Sequence, residues 1–135
     1  MSPLSEEKIV ELVDAFYVKV RRDTVLGPVF AAAIAPEAWP AHLGKMYDFW
    51  SSVMLTTGRY KGNPLAVHAG IAGLEESLFP RWLALFRVTA EEVCAPDVAA
   101  ALRVKSEFIA ESLKLGLFYL RPGSREARER ARRED

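Results

Sequence analysis

One cysteine, two histidines and no net charge set narrow limits on what this chain can do. Cys94 stands alone, so the chain can form no internal disulfide and no cysteine-built zinc site, and a reducing cytoplasm is its expected location. Eighteen Lys and Arg balance 18 Asp and Glu. A dedicated nucleic-acid binder would carry a basic face, so no nucleic-acid partner is expected. Charges interrupt every apolar stretch, including Phe108 to Leu120, and none is long enough to span a bilayer. The N-terminus lacks the basic region and apolar run of a secretory signal, and the chain is expected to be soluble, with no membrane partner. Also missing are a phosphate-cradling glycine loop, a Ser or Cys nucleophile motif, a convincing carboxylate pair, a zinc-ligand cluster and any flavin or nicotinamide motif. Alternating strand patterns, Asn-Gly hairpin signals and internal repeats are absent too, which leaves an all-α fold.

What is present suits one helical domain. The 135 residues are 50% apolar and 10% aromatic, enough for a core with a radius of gyration of roughly 14 Å. Ser5 is placed to cap a first helix with Glu6 and Glu7 in its opening turn, and Ile9, Val13, Phe16 and Val20 form its inner stripe, widened by Leu12 and Tyr17. Leu26-Gly27-Pro28 reads as a break, and Phe30 to Ile34 fits no pattern clearly. A second long helix is predicted from near Pro36 to Thr56 or Thr57, stopped by Gly58. Leu65 to Ala69 can be only a short helical turn between a Gly- and Pro-punctuated loop and Gly70. A further helix carries Phe79, Trp82, Leu83 and Phe86 and ends before Pro96; with Ser77 as its cap, Pro80 falls harmlessly in the first turn. The last helix is predicted from Pro96-Asp97 to about Leu120, with Val98, Leu102, Phe108, Ile109 and Leu113 facing inward. The domain therefore covers 1–120. Residues 121–135 hold six Arg and four acids with almost no apolar content and are read as a charged, solvated tail.

The two histidines differ in setting. His42 shares a helical stripe with Met46, Phe49 and Val53, which fits a half-buried packing residue as well as a ligand beside an apolar wall. His68 sits in the short turn after Lys61-Gly62-Asn63-Pro64 with no charged neighbour, a structural imidazole or a metal ligand. The pairs Phe16-Tyr17 and Phe49-Trp50, with Trp82, are either ordinary core or a core and cavity wall together, because adjacent helical residues point about 100° apart. Cys94 is read as filling space near a helix end. One axial His, an apolar slot and a few polar donors are what heme requires.

The run Phe16 to Asp23, then Leu26 to Phe30, Trp39 to His42, Phe49-Trp50, Gly58 to Pro64, His68 and Arg81 to Phe86 resembles the third group of truncated hemoglobins across roughly residues 6 to 118. That resemblance implies a shortened globin fold, a two-over-two helical sandwich around heme b. Matched residue by residue, it implies His68 as the proximal iron ligand and Tyr17 and Trp82 as the polar pair at the distal ligand. It places His42 at the mouth of the distal pocket, Met46 one turn further in, and Phe30 on the porphyrin, with Phe16, Phe49 and Trp50 as the aromatic wall. Lys45, Arg59 and Tyr60 are candidates for the heme propionates, since cations and hydroxyls pair with carboxylates. Pro80 departs from the family pattern, where a non-proline precedes the Arg-Trp pair.

The family usually leaves the distal position open, so a five-coordinate iron binding oxygen, nitric oxide or carbon monoxide is expected. Donors from Tyr17 and Trp82 in an apolar pocket would stabilise the partial negative charge that oxygen acquires and slow its release. Slow release favours redox ligand chemistry, such as nitric oxide dioxygenation or a peroxidase-like reaction, over oxygen transport, scavenging or ligand sensing. Either reaction would need an external reductase. A monomer or weak dimer is expected.

Overall fold

The computed structural model describes residues 4–119, and among these no strand occurs. The tail expected over 121–135, and Leu120, the expected end of the last helix, lie outside the described residues.

Helix α1 spans Glu6–Arg22. Ser5 Oγ accepts from Lys8 N at 3.2 Å, acids fill the first turn and Lys19, Arg21 and Arg22 the last, so both ends suit the helix dipole. Helix α2 (Leu26–Ala33) begins where the sequence reads as a break. The reason is local: Asp23 Oδ2 accepts from Val25 N (3.1 Å) and Leu26 N (2.8 Å), which satisfies two orphan donors, and Pro28 falls in the first turn where no amide is needed. Gly27 lets α2 press on α1, since a Cβ there would lie 2.8 Å from the Arg21 carbonyl oxygen.

A 3-10 turn (Pro36–Ala38) leads into α3 (Trp39–Leu55), which stops ahead of Gly58 because Thr56 already takes the left-handed conformation, φ 54°. Helix α4 is the predicted short turn, Pro64–Ala69, opened by Asn63, whose Oδ1 accepts from Ala66 N at 3.1 Å. Helix α5 spans Leu78–Val93 with Pro80 in its first turn, although the Ser77 side chain makes no capping bond. Helix α6 (Pro96–Lys114) runs on into a π-helical turn, Leu115–Tyr119. Phe108 is the exception to the inward face predicted for this helix. Leu102, Ser106 and Ala110 are buried on one side, and Phe108, opposite them, is 71% exposed.

Helix α1 packs on α3 and α5 on α6, and α1 crosses α5 to join the pairs, which is the two-over-two arrangement. The join is aromatic. Phe86 stacks between Trp50 (centroids 4.8 Å apart) and Trp82 (5.5 Å), and Phe16 meets both Trp82 and Phe86 edge-on at 5.3 Å. Truncating a ring so buried costs about 3–5 kcal/mol. Outside this core, helix α4 rests on α6 and the π turn, where Leu65 Cδ1 would be only 2.8 Å from a Cβ at Gly116. That close seat fixes where His68 stands.

Asp23 also binds Arg81 Nε at 2.6 Å, tying the α1–α2 corner to the helix that carries Trp82. Arg81 first, with the capped amides, lowers the Asp23 carboxyl from its ordinary 3.8 to about 2. A carboxyl depressed on folding stabilises the native state above pH 3.8, and that contribution fades as the pH falls toward about 2. Urea midpoints measured across this window should therefore fall with acidity, and Arg81→Gln should flatten the dependence.

Candidate functional site

The two histidines stand on different helices, His42 on α3 and His68 on α4, near enough for His68 to act electrostatically on His42. His68 is half-buried on α4, and its Nδ1 lies 2.7 Å from the Pro64 carbonyl oxygen. A carbonyl only accepts, so Nδ1 donates there, and Nε2 is the ring nitrogen left to meet a metal. On α3, His42 Nε2 is buried and has no hydrogen-bond partner among the described residues. Burial first, then Lys45, then His68 hold the His42 imidazole below the usual histidine range, so it is neutral near pH 7.

Around His42 three helices converge. Its ring meets Tyr17 edge-on at 5.1 Å and Trp39 at 5.4 Å, and Tyr17 touches Trp39 (5.7 Å) and Phe30 (5.9 Å). Tyr17 is 7% exposed, and burial pushes its phenol well above the ordinary range. The hydroxyl therefore keeps its proton at any physiological pH, and it makes no protein hydrogen bond among the described residues. Trp82 is reached from Tyr17 through Phe16, which lies 5.0 Å from one ring and 5.3 Å from the other. Met46 and Phe49 are half-buried on the same side of α3 as His42.

The structure thus gathers Tyr17, Phe30 and His42, with Met46 and Phe49 further along the same face of α3, into one apolar wall. Phe16 and Trp50, at 2% and 4% exposure, belong to the aromatic core behind that wall. Of the candidate carboxylate partners, Lys45 is exposed and Tyr60 packs its ring on Phe49 at 5.2 Å. Arg59 is already engaged: its Nη1 donates to Glu6 at 2.7 Å. Glu6 also accepts from the buried Ser51 hydroxyl (2.6 Å), and Ser52 Oγ accepts from Tyr60 N (2.8 Å), so these bonds pin the loop that leads to α4.

Trp39 is the residue that sequence reasoning passed over as a site residue. It is 5% exposed, it stands three positions before His42 on the same helix, and Arg21 lies over its outer ring face at 4.4 Å. Cys94 behaves as expected: it is half-buried at the end of α5, and burial pushes its thiol up, away from reactivity. Among the described residues no three His, Cys, Asp or Glu converge to hold a bare metal ion, and no helix is long and apolar enough to cross a membrane.

No protein-family model matches the chain. A curated relative does: the group 3 truncated hemoglobin ctb of Campylobacter jejuni is 32% identical over 117 residues, an alignment that covers 85% of this chain and 92% of that protein. The chain belongs to the group 3 truncated hemoglobins. The crystal structure of a group III truncated hemoglobin from Campylobacter jejuni superposes with a TM-score of 0.82 at 31% identity, covering 87% of this chain and 94% of that one. Membership in this globin family implies a heme group, and the donor set of this truncated hemoglobin fits one. A single imidazole with its Nδ1 already bonded cannot by itself hold a bare ion, but it can serve as the axial ligand to a metal that a macrocycle already holds. The side chains gathered around His42 are mostly aromatic and apolar, as a porphyrin face requires.

Proposed function

We propose that this globin holds heme b between α3 and α4, with His68 Nε2 as the only protein ligand to iron, and uses it for redox chemistry on diatomic gases. Phe30, Met46 and Phe49 would pack on the porphyrin. Lys45, which has no ion-pair partner among the described residues, and the Tyr60 hydroxyl would meet the propionates; Arg59 could join only by sharing itself with Glu6. When bound, the heme supplies an open coordination position and one-electron redox chemistry.

The observation that carries the reading is Tyr17, a buried phenol that keeps its proton and makes no protein hydrogen bond among the described residues. Its O–H would donate to an oxygen ligand in the pocket, and the Trp82 indole N–H would supply a second bond. Aromatic rings surround Tyr17, and a hydrogen bond in an apolar setting is stronger than in solvent. Oxygen retained in this way persists long enough to meet nitric oxide. The overall conversion, nitric oxide plus oxygen plus one electron to nitrate, needs an electron that a separate reductase must bring, because the chain carries no flavin or nicotinamide motif. A reducing cytoplasm would suit both that partner and the single free thiol.

Mixing the oxygenated protein with nitric oxide in a stopped-flow instrument should give stoichiometric nitrate quickly, and many turnovers once a reductase is present. Rapid oxygen release with no turnover under any reductant would favour the alternative, a carrier, scavenger or sensor. His42, which packs against Tyr17 and Trp39, would stand at the mouth of the pocket and is expected to restrict access without binding iron. His42→Ala should raise the carbon monoxide association rate and leave the ferric spectrum unchanged.

A further inference from the structure

The His42 ring is held by packing rather than by polar bonds. Its side chain makes no hydrogen bond among the described residues, although Nε2 is buried, and the Tyr17 hydroxyl beside it makes none either. What orients the two rings is contact with other rings. Tyr17 meets His42 at 5.1 Å, and Trp39 meets His42 at 5.4 Å and Tyr17 at 5.7 Å. All three contacts are edge-on, with interplanar angles of 87°, 88° and 63°. Edge-to-face packing is directional, so each ring restrains how its neighbours turn. Among the described aromatic residues Trp39 alone is in ring contact with both.

Trp39 is itself held from two sides. Its backbone N–H donates to the Pro36 carbonyl, which closes the 3-10 turn ahead of α3. Over its ring lies the Arg21 guanidinium, 4.4 Å from the centroid, and Arg21 has no ion-pair partner among the described residues. A guanidinium with no carboxylate to draw it away is attracted to the negative face of an indole. The base of this contact is firm, because α2 presses on the Arg21 carbonyl at Gly27. Arg21 and Trp39 also line a surface recess of about 200 Å3, together with Gly27, Ala31 and Ile34. Space therefore lies beside the indole, into which it would turn if released.

We propose that Trp39, braced by Arg21, is a positioning residue for the distal side of the pocket: it keeps the His42 ring against Tyr17 and through His42 sets how fast a gas enters. This role rests on the heme function proposed above. Arg21 belongs to it although its cation lies outside the pocket, since it acts on the indole and not on a ligand.

The carbon monoxide complex of the full chain tests this. His42→Ala is expected to raise the association rate, and Trp39→Ala should raise it several-fold as well. The double variant should be no faster than His42→Ala, because a residue that acts through His42 has nothing left to act on. Trp39→Phe keeps a ring edge and should retain most of the wild-type rate. Nuclear magnetic resonance with labelled histidine adds a readout apart from ligand binding. The chain has two histidines, so His42→Ala assigns both sets of signals. The His42 ring signals should shift or broaden in Trp39→Ala while those of His68 stay in place. Should Trp39→Ala prove unstable, Arg21→Met, at an exposed position, removes the cation and leaves the core alone; it should move the same His42 signals by a smaller amount. A double variant faster than His42→Ala by the full Trp39→Ala factor, or His42 signals unmoved in both Trp39→Ala and Arg21→Met, would overturn this role alone. A wild-type chain without heme would overturn the function it rests on as well, and the missing carbon monoxide spectrum marks that result.

Discussion

His68→Ala is expected to abolish stable heme binding, and exogenous imidazole should restore it by occupying the vacated place. The size of the effect follows from the donor set. Nδ1 is committed to the Pro64 carbonyl at 2.7 Å, so the ring is oriented by its own helix and offers one nitrogen outward. The other imidazole, His42, stands on α3 with its Nε2 buried. Because the substitution also removes a bond inside a six-residue helix, Asn63→Ala serves as a control. It deletes the bond from Ala66 N to Asn63 Oδ1 and should cost α4 about 1 kcal/mol, with at most a modest loss of heme. A His68→Ala chain that kept its full heme complement and a normal carbon monoxide spectrum would refute the assignment.

Tyr17→Phe is expected to speed oxygen dissociation roughly tenfold, the equivalent of about 1.4 kcal/mol. The phenol is the better placed of the two donors, since it lies against His42 and Phe30 while Trp82 stands beyond Phe16. Trp82→Phe should therefore have the smaller effect on oxygen release. It also removes a ring stacked on Phe86, so its stability must be measured beside its kinetics. Unchanged dissociation in both variants would mean that the pocket holds oxygen by other means.

Much of this fold is legible in the sequence because its signals are local. The inner stripe of α1, the Ser5 cap, the short α4 between Asn63 and Gly70 and the placement of Pro80 all depend on residues within a turn or two of each other. The start of α2 was hidden because its cap is the Asp23 side chain, held in turn by Arg81, 58 residues away. Arg59 illustrates the same difficulty at the candidate site. Its charge calls for a carboxylate, but nothing near it in sequence says that Glu6, 53 residues earlier, supplies one. Phe108 misleads in another way, since an aromatic residue between buried positions reads as core until the helix phase is fixed by Leu102, Ser106 and Ala110. Trp39 could have been found, as its place three residues before His42 puts both rings on one face.

Absorption spectra of the purified full chain, taken ferric, ferrous and with carbon monoxide, put the question most directly. One heme per chain, with a ferrous form that binds carbon monoxide readily and a spectrum typical of histidine ligation from one side, is the expected result. A chain that takes up no heme, or one whose ferrous spectrum shows two histidine ligands and loses one of them in His42→Ala, would contradict the assignment of His68 as sole ligand in a pocket open to gases.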